Sequence, residues 1–349
     1  MSKSADQAPA KKPLISYKYL TISVALSLIS MGLVIYFTYT PGILEHLKMK
    51  RMPGLVLALG VVFFRIFFFA EKIRFLTNKS ISRSASVRVA LTWDFASAIT
   101  PSTIGGAPVA TYAMTREGVD LGRSSAVVLY GVLLDQLWYV LAVAVLVISG
   151  FYFDVIPDEA GMVGVVSMSL IYAGLLFYGA LLSYGLLVNP GAIKKLLRFI
   201  FKLPFLRDYT DSVMGVADNL EEHSYQLKKK PASFMVKAFL LSTMSWLCRV
   251  AFPVIVVLSL LPADEILLIL RSLAMNLAFL IIPTPGGSGG VEGLFVLFIG
   301  PLIDRPGFIG LAVFLWRILT YYISIVIGIF AMIWYVNDTY KQYERSEKR

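Results

Sequence analysis

The chain has 349 residues, of which 57% are hydrophobic and 15% are charged, and its mean hydropathy is +0.73. A soluble protein of this composition would leave far too much apolar surface in water, which excludes the soluble enzyme and nucleic-acid-binding classes. The formal net charge of +10 instead suits basic segments that lie beside anionic lipid. Because the apolar runs lack the two-residue alternation of an outer-membrane barrel, we predict an all-α polytopic membrane protein.

Six apolar runs are long enough to cross the roughly 30 Å of hydrocarbon in a bilayer. In chain order, full transmembrane helices are predicted at 20–39, 53–76, 124–150, 161–188, 233–261 and 308–335. The first run follows a polar and basic segment at 1–19 and offers no small-residue cleavage site, so it is expected to be an uncleaved signal anchor. All six runs fall in a single membrane domain at 20–338.

Four shorter apolar pieces lie between these spans, and most would reach only about half to two-thirds of the hydrocarbon thickness at 1.5 Å per residue. They are found at 89–99, 106–115, 266–282 and 289–300. Each pair is interrupted by the phrase Thr-Pro-x-x-x-Gly-Gly, at 100–106 and again at 284–290. Helix breakers at membrane depth are tolerated only in a protein interior or beside a polar cavity, so we predict two re-entrant helical hairpins. The breaking residues are Pro101, Gly105, Gly106 and Pro285.

The distribution of charge predicts the orientation, because cytoplasmic loops carry an excess of Lys and Arg. If both short pairs return to their own side, the basic segments 72–88 and 194–230 and the tail 339–349 all lie in the cytoplasm, together with the amino terminus. The acidic loop at 154–159 then lies outside. One basic cluster, at 48–51, falls outside against the rule.

With this topology the two hairpins enter from opposite sides, and a first repeat at 53–150 is the inverted image of a second repeat at 233–338. Inverted repeats with broken helices are typical of secondary transporters, which bind substrate near the membrane midplane. The sequence therefore predicts transport through a site between two opposed hairpins.

The largest polar portion, at 189–232, carries apolar residues at helical spacing opposite acidic ones, which predicts an amphipathic cytoplasmic helix. The apolar positions are Tyr209, Val213, Val216, Leu220 and Leu227. This helix is expected to be a strap packed on the bundle, with a gate or a lipid-surface element as the alternative.

Charged residues inside apolar helices are costly, and they usually face a bundle interior or a cavity. Glu292 follows the second glycine-rich turn and Arg317 lies about ten residues into the last helix, so the two are expected to meet near mid-membrane. Their pair is either a substrate site or a structural ion pair. Asp135 is expected to neutralise a basic group or carry a proton, or else to pair with Arg249 or Arg65.

The second turn offers a further candidate site. Its glycines, Gly286, Gly287, Gly289 and Gly290, could present backbone amides to an anion such as a lipid phosphate, or could simply allow close helix packing. Asp94 lies nearer a predicted interface, where snorkelling or a helix cap is expected. No strand precedes the glycines and no metal-ligand cluster or hydrolase motif is visible, so neither a cofactor nor an enzymatic activity is predicted.

The phrase Thr-Pro-Gly-Gly-Ser-Gly-Gly-Val-Glu at 284–292, followed by Trp-Arg-Ile-Leu-Thr-Tyr-Tyr at 316–322, resembles the flippase-like membrane family of the lysylphosphatidylglycerol synthase transmembrane region. The likeness extends from about residue 15 to 340. It implies functional importance for Pro285, Gly286, Gly287, Gly289, Glu292, Arg317, Thr320 and Tyr321, and in the first half for Pro101, Gly105, Gly106 and Asp135. The chain departs from the family pattern at Ala107, Gly131 and Val132, where the family often has charged residues.

The resemblance implies translocation of a polar lipid between the leaflets of a cell membrane. In the leading hypothesis the lipid phosphate meets the glycine amides and Arg317, while Glu292 and Asp135 contact any cationic group of the head. One alternative is a non-transporting partner that docks a separate lipid synthase or glycosyltransferase through 189–232. Another is a secondary transporter of a small solute or ion.

Overall fold

The computed structural model describes residues 17–42, 53–100, 106–189, 191–200 and 221–347. Its long elements are helices, as the sequence predicted. In chain order they are α1 (Tyr17–Thr38), α2 (Pro53–Leu76), α3 (Arg83–Ile99), α4 (Gly106–Arg116), α5 (Leu121–Ser149), α6 (Gly161–Ser183), α7 (Gly191–Ile200), α8 (Ala232–Leu260), α9 (Glu265–Ala278), α10 (Gly290–Ile299), α11 (Gly307–Arg317) and α12 (Ile323–Glu347). Short π-helical segments, Tyr184–Val188 and Ile318–Tyr322, extend α6 and join α11 to α12.

Within the described residues, six helical stretches are long and apolar enough to cross a membrane. They are Leu20–Thr38, Pro53–Leu76, Leu121–Ser149, Asp158–Val188, Ala232–Leu260 and Gly307–Tyr335. The prediction of six long apolar spans is therefore confirmed in number and in place.

The four shorter helices α3, α4, α9 and α10 fall where the short apolar pieces were predicted. They have 17, 11, 14 and 10 residues, which corresponds to lengths of about 15 to 26 Å. The main difference is that α3 begins at Arg83, because the Ser82 hydroxyl accepts a hydrogen bond from the amide of Ala85 and so caps the helix earlier than expected. Of the predicted helix breakers, Pro101 and Gly105 lie outside the described residues.

The centre of the bundle is built around α2 and α8, which pack along each other over most of their length. α3 packs against α2 and α12, and α9 packs against α8 and α5. By contrast, α6 exposes large apolar side chains such as Met162, Val163 and Phe177. An apolar surface of this extent is expected to lie in lipid.

The predicted segment at 189–232 is described only at its two ends, and Tyr209, Val213, Val216 and Leu220 lie outside the described residues. At its carboxyl end residues 221–228 are helical, and Leu227 is buried. The Tyr130 hydroxyl of α5 donates to the carbonyl oxygen of Ser224 at 3.1 Å and to that of Leu186 at 3.0 Å. This end of the segment is thus packed onto the bundle, and the strap as a whole stays a prediction.

The turn between α9 and α10 needs glycine for two physical reasons. Gly286, Gly287 and Gly289 have φ angles of 59°, 67° and 91°, a region that favours glycine because a Cβ is crowded there. Space is also restricted, since a Cβ on Gly286 would lie 2.5 Å from the carbonyl oxygen of Ala98 in α3. The turn therefore lies directly against the end of α3, close to the first interruption.

We expect Gly287→Ala to lower the thermal unfolding midpoint of the purified protein in detergent. Alanine would be strained at this φ, and its Cβ would lie 2.1 Å from the Phe279 ring, so the cost should be about 1–3 kcal/mol. Gly293→Ala in α10 is the matched control, because a Cβ there meets nothing within 4 Å, and it should keep or raise the midpoint. An unchanged midpoint for Gly287→Ala would contradict this account of the turn.

Candidate functional site

Glu292 and Arg317 meet in the interior, as the sequence predicted. Arg317 Nε lies 2.9 Å from Glu292 Oε1, and their side chains are 4% and 0% exposed. The Ser27 hydroxyl of α1 donates to Glu292 at 3.0 Å and accepts from Arg317 at 2.9 Å. The guanidinium also lies 4.0 Å from the centre of the Tyr321 ring. This Arg317 cluster joins α1, α10 and the end of α11.

The same cluster closes the glycine-rich turn. The amide of Gly289 donates to Glu292 Oε2 at 2.8 Å, and Arg317 donates to the Ser288 hydroxyl at 3.2 Å. The amides of Gly287 and Ser288 bond to carbonyl oxygens of the turn itself. Two of the four glycine amides that the sequence offered to an anion, those of Gly287 and Gly289, are therefore already occupied. Glu292 is at once the cap of α10 and the counter-charge of Arg317.

Around Asp94 a second cluster forms from α2, α3 and α8. Arg65 Nη2 lies 2.6 Å from Asp94 Oδ2, and Arg249 Nη2 lies 3.3 Å from Asp94 Oδ1. The alternative pairing of Asp135 with Arg65 or Arg249 is therefore wrong, and Asp94 forms ion pairs instead of the helix cap that was expected. Asp94 is one of the buried residues of α3, which packs on α2.

A third cluster surrounds Asp135 of α5. Lys72 Nζ donates to both of its carboxylate oxygens, at 2.7 and 2.9 Å, and Trp246 Nε1 donates to Oδ1 at 2.9 Å. The Ser242 hydroxyl donates to the same oxygen. Asp135 thus neutralises a basic group, as one alternative held, but the partner is Lys72, which the sequence had placed in a cytoplasmic segment.

The spacing of polar residues along α2 and α8 is the sequence signal that could have predicted the Asp94 and Asp135 clusters. Lys72 lies seven residues after Arg65 on α2, and Arg249 lies seven residues after Ser242 on α8, so each pair shares one face. Since α2 and α8 pack along each other, these faces meet and hold the Asp94 and Asp135 clusters side by side.

A cavity of about 900 Å³ lies between the Asp94 and Asp135 clusters. Its wall is built by α2 to α6, α8 and the short helical turn Phe279–Ile281, and the charged side chains in it are Lys72, Asp94, Asp135 and Arg249. The volume lies in the range of small-molecule sites, about 300–1,000 Å³. Ala107 and Val132, two of the three departures from the family pattern, contribute apolar lining.

A smaller cavity of about 110 Å³ separates the Asp94 cluster from the Arg317 cluster. Thr320 and Tyr321 line it, and both belong to the π-helical segment that follows Arg317. The two cavities share Asp94, Ser97, Arg249 and Phe279 as lining residues. Asp94 and Arg249 therefore form part of the partition between them.

The large cavity opens on the apolar side of the bundle. Among its lining residues, three large hydrophobic side chains are exposed: Leu170 by 68%, Ile281 by 56% and Tyr178 by 43%. Leu170 and Tyr178 belong to the middle of the apolar stretch Asp158–Val188. The mouth of the cavity is therefore bordered by a candidate span that exposes apolar side chains along much of its surface.

The remaining candidate residues lie where the backbone turns or packs closely against a neighbour. Gly106 begins α4 and is buried, and a Cβ there would lie 2.0 Å from the Ser97 hydroxyl oxygen. Gly290 begins α10, where a Cβ would lie 2.7 Å from Ile282. Pro285 precedes the positive-φ glycines of the turn. These residues shape the backbone at the interruptions.

We expect Glu292→Gln to cost about 3–5 kcal/mol of stability, because it leaves the buried Arg317 without a counter-charge. The double variant Glu292→Gln/Arg317→Gln should cost less than the sum of its two single variants, since the charges interact directly. Unfolding in detergent gives the three values, with Glu159→Gln at an exposed position of the short 3-10 helix Asp158–Ala160 as control. Additive costs would show that the pair contributes no coupling.

The similarity of this chain to known proteins extends over all the residues of the candidate site. The family model described as the lysylphosphatidylglycerol synthase TM region matches residues 20–328. A protein described as a UPF0104 membrane protein, from Archaeoglobus fulgidus, is 22% identical over 306 residues, which cover 84% of this chain and 90% of that relative. The resemblance seen in the motifs at 284–292 and 316–322 is thus confirmed, and the chain is a multi-pass membrane protein that belongs to the family of the lysylphosphatidylglycerol synthase transmembrane region.

Proposed function

We propose that the protein is a lipid translocase that moves a polar headgroup between leaflets through the large cavity while the acyl chains remain in lipid. The observation that carries the proposal is the form of this cavity. Charged pairs line it inside, whereas its rim is apolar and exposed at Leu170 and Ile281. A site with a charged interior and an apolar rim suits an amphipathic substrate, because the polar headgroup and the acyl chains each contact a surface of matching polarity.

The depth of the cavity supports the same function. The wall that α6 provides runs from Ser167 to Tyr178, the central part of the 31-residue stretch Asp158–Val188. A headgroup that crosses between leaflets must pass this central region, where an uncompensated polar group is most costly. Polar side chains at this depth lower that cost.

We further propose that α3–α4 and α9–α10 are opposed re-entrant hairpins of an inverted repeat. Three packing relations support this architecture. α2 pairs with α8, α3 packs on α12 as α9 packs on α5, and Gly286 of the second turn lies against Ala98 of the first hairpin. An inverted repeat would allow the cavity to open toward each leaflet in turn. With positive loops inside, both termini would lie in the cytoplasm.

Within this mechanism Glu292 and Arg317 hold the α9–α10 turn against α1 and α11 rather than contact the headgroup. No chemical conversion of the lipid is part of the proposal. The two alternatives make different demands on the cavity: a solute or ion transporter needs no lipid-facing mouth, and a docking partner for a lipid-modifying enzyme needs no cavity.

We expect Gly174→Phe to slow leaflet exchange of labelled phospholipid in liposomes by about tenfold or more, because filling the passage costs about 1–3 kcal/mol. Gly174 lines the cavity and a Cβ there meets nothing within 4 Å, so folding should be preserved. Gly60→Phe is the matched control, since Gly60 of α2 has the same free space but does not line the cavity. Equal slowing by both variants, or exchange unchanged in Gly174→Phe, would contradict the proposed path.

A further inference from the structure

On the basis of the proposed function, we infer that the translocated lipid carries an anionic, phosphate-bearing headgroup and that Arg249 is the residue that recognises it. The inference follows from the balance of charge around the two cavities. It concerns the substrate class, which the translocase proposal by itself leaves open.

The charged residues described around the cavities do not cancel. Lys72 is neutralised by Asp135, and Arg317 is neutralised by Glu292. Arg65 and Arg249, however, share the single carboxylate of Asp94. One positive charge is therefore left over at the partition between the cavities. Because a charge that is partly withdrawn from water and lacks a full counter-charge is costly, an anion that enters the site is stabilised there.

Of the two arginines, Arg249 is the one able to receive that anion. Arg65 is 5% exposed and lies 2.6 Å from Asp94, whereas Arg249 is 36% exposed and its contact with Asp94 is 3.3 Å. Arg249 lines both cavities, and its guanidinium lies 5.0 Å from the centre of the Trp246 ring. The contact with Trp246 limits the orientations of the guanidinium, whose remaining N–H groups match the geometry of a phosphate.

A cationic group has no comparable partner among the described lining residues. Asp135 accepts hydrogen bonds from Lys72, Ser242 and Trp246, and Asp94 is shared by two arginines. Glu292 is fully buried against Arg317. The earlier expectation that Asp135 and Glu292 contact a cationic headgroup is thus replaced by recognition of an anion.

The apolar part of the cavity distinguishes a lipid from a free phosphate ester. Leu129, Val132 and Leu175 line the same space as Arg249, and the exposed Leu170 lies at its rim. A glycerol backbone and the start of the acyl chains would bury these side chains. A free phosphate ester would contact only the arginine and leave the apolar lining exposed.

Equilibrium binding in detergent tests the inference without requiring translocation. Intrinsic tryptophan fluorescence is the readout, since Trp93 and Trp246 line the cavity. We expect dihexanoyl phosphatidylglycerol, which is anionic, to bind about tenfold or more tightly than the zwitterionic dihexanoyl phosphatidylcholine. Equal affinities, or tighter binding of phosphatidylcholine, would overturn the inference, and this comparison needs no variant.

Three variants then test the role of Arg249. Arg249→Gln should abolish the preference for the anionic lipid, and Arg249→Lys should keep part of it, because lysine retains the charge but not the bidentate geometry. Arg305→Gln, at an exposed position outside the cavities, should behave as the unmodified protein. A full preference that persists in Arg249→Gln would overturn the assignment of this residue.

Glycerol 3-phosphate is the probe for a free phosphate ester. If it binds as tightly as the short-chain lipid, the assignment of a lipid headgroup fails. Leaflet exchange of labelled phosphatidylglycerol and phosphatidylcholine separates the two proposals. If the protein binds the anionic lipid selectively but exchanges neither lipid, the translocase proposal fails and the anion site stands. If it exchanges both lipids without selective binding, the anion site fails and the translocase proposal stands.

Discussion

The cost of a charge inside hydrocarbon is the constraint on which the rest of this structure depends. An isolated charged side chain at this depth costs several kcal/mol, so each deep charge must find a partner on another helix. The three clusters satisfy this requirement by joining α2 to α3 and α8, α2 to α5, and α10 to α11. The ion pairs therefore link specific helices to one another, and apolar side chains complete the packing.

The backbone obeys the same constraint where the helices are interrupted. Amide and carbonyl groups released by a break need partners inside the protein, because lipid offers none. In the second turn the amides of Gly287 and Ser288 donate to carbonyl oxygens of the same turn, and Glu292 accepts the amide of Gly289 while it neutralises Arg317. One carboxylate thus serves both the interrupted helix and the ion pair.

The polar atoms of the clusters meet at separate points between the helices rather than at one centre, and a space remains between these points. The resulting cavity has charged groups at its partition and an apolar rim beside α6, two properties that an amphipathic substrate requires. Two arginines around one aspartate give the partition an excess positive charge. In the proposed mechanism this excess attracts a phosphate, while the neutralised pairs hold the helices in place.

The sequence by itself determined the six apolar spans and the four short helices, because length, hydropathy and helix breakers are properties of local segments. It also predicted that Glu292 meets Arg317, since opposite charges inside apolar segments need partners. Only the tertiary structure decided that Asp94 bridges Arg65 and Arg249 and that the carboxylate of Asp135 belongs to Lys72. Those partners depend on the rotation and relative height of α2, α3, α5 and α8. Apolar runs leave both quantities open, since a helix that is hydrophobic on every side gives no sign of the face it turns inward.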